Sequence, residues 1–282
     1  MRQIGNNEEL AQYIKWCSDH NKTVGFVPTM GALHPGHLSL VDLAANENDI
    51  VIVSIFVNPT QFNNAKDLEK YPRTLEKDVE LLSQTECHII YTPSVNEIYS
   101  TSFIPRNADL GILDTTLEGH YRPGHYVGVV SVVQRLFDLV QPQKAYFGRK
   151  DFQQVAVIKT MVKQFNYHIE IKVGETVREE SGLALSSRNT LLTPTEKKKA
   201  GAISKLLFEM QEWAKVLNPR ACETKAITKF EKTAVQLEYL SIIHPLTFES
   251  LVDEWVPGAT VCIVAYCGEV RLIDNLELVP LL

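Results

Sequence analysis

No stretch of this sequence approaches the roughly 18 consecutive apolar residues that span a bilayer. The opening Met1-Arg2-Gln3-Ile4-Gly5 also lacks the apolar core of a signal peptide. Both absences argue against a membrane partner and place the expected protein in the cytoplasm. A cysteine framework is missing too: Cys17, Cys87, Cys222, Cys262 and Cys267 are odd in number and scattered, so neither a disulfide scaffold nor a zinc pattern emerges. Reduced, structural thiols are expected. Nor is there a surplus of positive charge. The 28 Lys and Arg against 34 Asp and Glu leave a net charge of −6, which argues against a nucleic-acid partner and toward small molecules. What the chain does have is 282 residues at 45% apolar content, enough for one large or two moderate domains.

The most informative stretch is Thr23–Leu40, TVGFVPTMGALHPGHLSL. Val24, Phe26 and Val27 predict a short strand, which Pro28 should end because proline cannot donate to a sheet ladder. Thr29, Met30 and Gly31 form a turn, and Pro35 suits the first turn of a helix whose apolar face is Leu38, Leu40, Val41, Leu43 and Ala44. Such a helix start turns unpaired N–H groups and the positive dipole end outward, a site made for phosphate. His34 and His37 share one helical face near that pole. They can serve as phosphate-directed donors there, or only cap the helix. A zinc protease arrangement is absent, since that motif needs a glutamate and an i, i+4 histidine pair.

Further along, Glu8 to His20 reads as a helix with Leu10, Ile14 and Trp16/Cys17 inward. Ile50–Val57 is an apolar run suited to a strand buried on both faces, and Asn58 and Gln61 follow at its carboxyl end, where open α/β sheets hold ligands; an Asn-Pro turn that merely stops the strand is the alternative. Thr74–Leu82 is a predicted helix with Leu75, Val79 and Leu82 inward and Glu76, Lys77, Asp78 and Glu80 solvated. Phe103–Asp114 reads as a loop. Glu118–Gly128, with His120, Arg122 and His125, reads as a glycine-hinged loop before a helix over Val129–Val140, either an active-site wall or plain solvated loop. After a strand at Ala145–Phe147, Gly148-Arg149-Lys150-Asp151-Phe152-Gln153-Gln154 repeats the glycine turn before a helix, now with a lysine suited to phosphate and a glutamine pair. Ser186-Ser187-Arg188 after Gly182 is a second candidate phosphate clamp. Beyond Thr193 two helices and three antiparallel strands are expected.

Taken together, PTMGALHPGH, VNPTQF, YPRTLEKD, FGRKDFQQ and LALSSRN resemble, in order and approximate spacing, the pantothenate synthetase (pantoate–β-alanine ligase) family of the HxGH nucleotidyltransferase superfamily. The likeness covers most of the chain and thins beyond Thr193. It implies an α/β fold: a Rossmann-like doubly wound parallel sheet over residues 1–176 that binds ATP and pantoate, and a smaller C-terminal α+β domain over 177–282 acting as a lid. It implies a reaction in which ATP and pantoate, with Mg2+, give pantoyl adenylate and pyrophosphate, after which β-alanine attacks to release pantothenate and AMP. On this resemblance His37, His34, Lys150 and Arg188 are the catalytic residues. ATP would be held by Met30, Gly31, Ala32, Leu33, His34, Pro35, Gly36, His37, Gly148, Arg149, Lys150, Asp151, Val177, Leu185, Ser186, Ser187 and Arg188, and pantoate by Gln61, Gln154 and Asn58. The metal ligands stay unassigned, and a homodimer is implied. Two positions depart from the family pattern: Arg149 stands where an acidic residue is usual, and Val127 where a polar one is. The rival functions are a nucleotidyltransferase acting on a phosphorylated acceptor, which should carry a basic pocket at Gln61 and Gln154, and a non-catalytic nucleotide-binding module, which should have lost Lys150 or a motif histidine.

Overall fold

The structure, a computed structural model, describes residues 1–278. It separates into two compact units, Met1–Arg149 with Gln153–Glu175, and Lys150–Phe152 with Thr176 onward.

The first unit is built on a six-stranded sheet in which every ladder is parallel. Its strands are β1 (Arg2–Ile4), β2 (Val24–Thr29), β3 (Ile50–Ile55), β4 (Ile89–Tyr91), β5 (Lys144–Gly148) and β6 (Glu170–Gly174), in the order β1-β4-β3-β2-β5-β6. From β2 the chain works outward through β3 and β4, then crosses back to β5 and β6. The topology therefore reverses between β2 and β5, and it is outside the carboxyl ends of such strands that α/β sheets hold ligands.

Strand alternation sorts the two faces of the sheet. Val27, Val51, Val53 and Ile90 turn toward Leu40, Val41 and Ala44 of the helix Pro35–Glu47 and Leu82 of the helix Leu75–Leu82. Phe26 points the other way and meets Phe137, on the helix His125–Val140, edge-on at 6.4 Å between ring centres. Each fully buried side chain of this size stabilises the fold by about 1.5–3 kcal/mol. Coverage of both faces is the doubly wound Rossmann-like architecture expected from the near-continuous apolar strands.

Several local expectations give way to tertiary context. β2 runs through Pro28, which pairs in register with Ser54 of β3. The carbonyls of Thr23 and Thr29 serve Ile50 and Phe56 on the β3 side, so by alternation Pro28 faces β5, whose register with β2 ends at Phe26 and Ala145. The missing N–H falls where no ladder bond is made. On the helix Asn7–Asp19 the inward residue is Cys17, 1% exposed, while Trp16 lies outside and stacks on His20 with ring centres 4.7 Å apart. The short edge strand β1 left no local signal. The stretch expected as a loop over Glu118–Gly128 is a short helix, Leu117–Tyr121, a left-handed Gly124 at φ 79°, and then the long helix, which begins at His125 rather than Val129.

The second unit has its own core. Its helices Pro194–Ala214 and Pro219–Phe230 pack Leu207, Met210, Ala226 and Phe230 against Ile242 and Ile263 of an antiparallel sheet. That sheet is β7 (Gln236–Ile243), β8 (Thr260–Cys267) and β9 (Val270–Glu277), in the order β7-β8-β9. The longer helix starts on a capping box, Thr193 with Glu196. All five cysteines of the chain are buried, and burial pushes the Cys87 thiol up to about 12, which leaves it unreactive. Among the described residues, no helix is long and apolar enough to cross a membrane.

Candidate active site

The histidine motif sits where β2 ends. His34 is the N-cap of the helix Pro35–Glu47 and His37 its third residue, with ring centres 4.0 Å apart. The His34 amide donates to Nδ1 of His37 at 3.3 Å. A ring nitrogen that accepts carries no proton, so the neutral His37 ring bears its hydrogen on Nε2 and can donate from there.

The turn before the motif is held by Asp78, expected in solvent from its helical neighbours. Asp78 is 1% exposed. Its carboxylate accepts from the amides of Ala32 at 2.9 Å and Leu33 at 2.8 Å, and from the Thr74 hydroxyl at 3.2 Å. Gly31 and Ala32 both have left-handed backbone, φ 81° and 48°, which turns successive N–H groups to one side. For Ala32 that conformation is costly, and the charge-assisted bonds to Asp78 offset it. The signal was available. Asp78 lies three residues after Leu75 and four before Leu82, on the helix's apolar stripe, whereas Leu75 itself is 36% exposed.

After β3, Asn58 caps a single 3-10 turn, Pro59–Gln61. Asn58 is buried and its side chain is fully engaged: Nδ2 donates to Gln61 Oε1 and to the Gly128 carbonyl, each at 3.1 Å, while Oδ1 accepts from Thr60 and from the Tyr99 hydroxyl at 2.7 Å. Among the described residues Gln61 Nε2 meets only the thioether of Met30, at 3.2 Å, a weak acceptor that a better one can displace. The Gln61 carbonyl accepts from His125 Nδ1 at 2.8 Å, and Arg122 approaches His125 Nε2 at 3.1 Å. His125 and Arg122 thus line the wall behind Gln61. Gly128 permits this packing, since a Cβ there would lie 2.5 Å from the Thr60 carbonyl oxygen.

After β5 the chain makes a 3-10 turn, Arg149–Asp151, and enters the helix Phe152–Gln164, so both glutamines lie in its first turn. They differ in what they touch. Gln153 is buried, donates to the carbonyls of Leu113 (2.8 Å) and Thr116 (3.0 Å), and accepts from the Glu118 amide. Gln154 is half-buried, and its amide finds no hydrogen-bond partner among the described residues. Gln61 follows β3 and Gln154 follows β5, the two neighbours of β2, so the motif turn and both amides belong to the carboxyl end of three adjacent strands. Arg149 pairs with Glu175 at 2.9 Å, an exposed contact worth little to stability.

The remaining phosphate candidates are in the second unit. Arg178 and Ala184 form an antiparallel bridge, the Leu185 amide donates to the Val177 carbonyl at 2.9 Å, and Gly182 turns the chain at φ 86°. This small hairpin delivers Ser186, which caps the 3-10 turn Ser187–Leu191 by accepting from the Arg188 amide. Lys150 has its ammonium 3.7 Å from Asp151 and is mostly covered.

Comparison with known proteins places the chain in one family. The family model described as Pantoate-beta-alanine ligase matches residues 2–277. A pantothenate synthetase of Azobacteroides pseudotrichonymphae is 48% identical over 264 residues, 92% of this chain and 93% of that one. The crystal structure of a pantothenate synthetase from Thermus thermophilus superposes with a TM-score of 0.93 at 43% identity, covering 99% of this chain and 100% of the other. That of a Francisella tularensis pantoate-beta-alanine ligase, complexed with beta-gamma ATP and beta-alanine, superposes with a TM-score of 0.84 at 36% identity over 98% and 97% of the two chains.

Proposed function

The chain belongs to the pantoate–β-alanine ligase family and condenses pantoate with β-alanine in an ATP-dependent reaction; from that premise we propose how its own residues divide the reaction. A pantoate carboxylate oxygen attacks the α-phosphorus of ATP and pyrophosphate leaves, giving pantoyl adenylate. The β-alanine amine then attacks the acyl carbon, loses a proton and expels AMP. The first step gathers negative charge on the departing pyrophosphate, and the second needs an acyl group held in reach of the amine.

The observation that carries the reading is the His34–His37 contact, which puts the ring hydrogen of neutral His37 on Nε2 at the start of a helix. There it meets a departing phosphate oxygen, with the helix pole and His34 beside it. Lys150, Arg188 and the Ser187 hydroxyl supply the remaining charge and donors for phosphate, and the backbone around Gly31–Gly36, Gly148–Asp151, Val177 and Leu185–Ser186 frames the nucleotide. Gln61 and Gln154 grip pantoate through neutral amides, which hold a hydroxy acid without lowering the reactivity of its carboxylate by charge pairing. Asn58 acts through Gln61, since its own bonds are committed to that turn.

Among the described residues no group of three His, Cys, Asp or Glu could cage a metal ion. That suits Mg2+, which is commonly held by phosphate oxygens, waters and one or two carboxylates. MgATP is therefore the substrate, with Asp151 the carboxylate beside the phosphate lysine. In the same proposal the C-terminal unit is a lid, two copies of the chain form the working assembly, and the cytoplasm is its compartment.

The test is a product balance. With MgATP, pantoate and β-alanine, AMP and pantothenate should form one for one, and pantoate without β-alanine should give a single burst of pyrophosphate. AMP release that ignores pantoate would overturn the assignment of Gln61 and Gln154 to that substrate.

A further inference from the structure

The C-terminal strand β9 carries two buried polar residues in a unit whose sequence beyond Thr193 suggested no chemistry. Asp274 and Asn275 are 3% and 4% exposed. The Asp274 carboxylate accepts two hydrogen bonds from Arg178, at 2.6 and 3.1 Å, and one from the Asn275 amide at 2.8 Å. Arg178 reaches on to the Gly182 and Asn275 carbonyls. Burial raises the Asp274 carboxyl, while Arg178 opposes the shift. A buried asparagine is unfavourable unless its polar atoms are used. Here Nδ2 donates at 2.8 Å to the main-chain carbonyl of Lys150, 125 positions away in sequence.

That bond is made to one of three residues, Lys150–Phe152, that leave the chain's first part to join the second unit. A second tie is a ring contact between Phe152 and Phe248, centres 5.4 Å apart. An aromatic contact holds a segment in place but does not set the rotation of a peptide group two residues away. The Asn275 bond does, and Asn275 is itself fixed from behind by Asp274 and Arg178.

We infer that Asn275 is a positioning residue for Lys150, holding its peptide group so that the ammonium at the end of a flexible four-carbon stem starts from one fixed point. Without that anchor the ammonium samples positions from which it stabilises the leaving pyrophosphate less well. The inference rests on the reading of Lys150 as an ATP-phosphate residue and adds to it a group that never touches substrate. It also assigns the Arg178–Asp274 pair a purpose beyond stability, since a buried ion pair by itself is weak evidence for stabilisation.

The experiment compares the wild type, Asn275→Leu, Lys150→Ala and the double variant. It measures pantoate-dependent pyrophosphate release from MgATP in a single turnover, pantothenate formation from supplied pantoyl adenylate, and thermal unfolding. Asn275→Leu should slow pyrophosphate release about 10- to 100-fold with the pantoate KM unchanged, spare the second half-reaction, and add nothing once Lys150 is already alanine. Losses that multiply in the double variant would overturn the inference while leaving Lys150 on the phosphates. Normal pyrophosphate release by Lys150→Ala would overturn the underlying reading instead. Asn275→Asp keeps the volume and removes the donor, so a folded Asn275→Asp protein with normal release overturns the inference even if the leucine variant does not fold.

Discussion

The backbone amide of His34 donates to Nδ1 of His37 at 3.3 Å, so the two motif histidines are not equivalent: one supplies the bond that selects the tautomer of the other. Substituting His37 by Ala should lower the adenylation rate by about 100-fold or more. Gln places an amide N–H near the position of Nε2, whereas Asn mimics Nδ1, so His37→Gln should keep more activity than His37→Asn. Pre-steady-state pyrophosphate release decides the matter, and the reverse ranking would remove the tautomer argument.

The two adjacent glutamines should separate cleanly. Gln153, with three internal hydrogen bonds, should cost on the order of 1–3 kcal/mol of stability when changed to Ala. Gln154→Ala should leave the melting temperature alone and weaken pantoate use by roughly 5- to 150-fold, with ATP affinity by calorimetry unchanged. Equal loss of ATP affinity would move Gln154 into the nucleotide site.

Asp78→Asn changes one atom's chemistry at constant volume. One of the two backbone amides that now meet carboxylate oxygens would face an N–H, at a cost on the order of 1–3 kcal/mol. Because those amides precede His34, ATP affinity should fall along with stability. Urea unfolding and ATP calorimetry report the two effects, and a variant as stable as the wild type would show that the left-handed turn at Gly31 and Ala32 holds without its acceptor.

Asp49 sets an acid limit. Its carboxylate accepts from the amide of Thr23 at 2.9 Å and its hydroxyl at 2.8 Å, with Lys22 at 3.3 Å, and these bonds hold its carboxyl at about 2 instead of 3.8. A folded-state value below the unfolded one means stability that is complete above pH 3.8 and is lost as pH falls toward about 2. The advantage of wild type over Asp49→Asn should shrink across that window. A carboxyl that titrates at its ordinary value by NMR would contradict it.

What the amino-acid sequence determined by itself was whatever depends on near neighbours. Apolar periodicity and turn chemistry placed β2, β3, the Pro35 helix and the C-terminal strands, and put His34, His37, Gln61 and Lys150 in the turns and helix starts that follow strands. The rest required the tertiary structure, because its causes lie far apart along the chain. Asp78 meets Ala32 and Leu33 across 46 and 45 positions, His125 meets Gln61 across 64, and Asn275 meets Lys150 across 125. No local pattern encodes such pairs. Asp78 looked like one more charge on a solvated face, and only its amide partners explain why a carboxylate sits on an apolar stripe. Pro28 makes the same point in reverse: the rule against proline in a strand is a rule about a missing hydrogen bond, and it lapses where the neighbouring strand has already diverged.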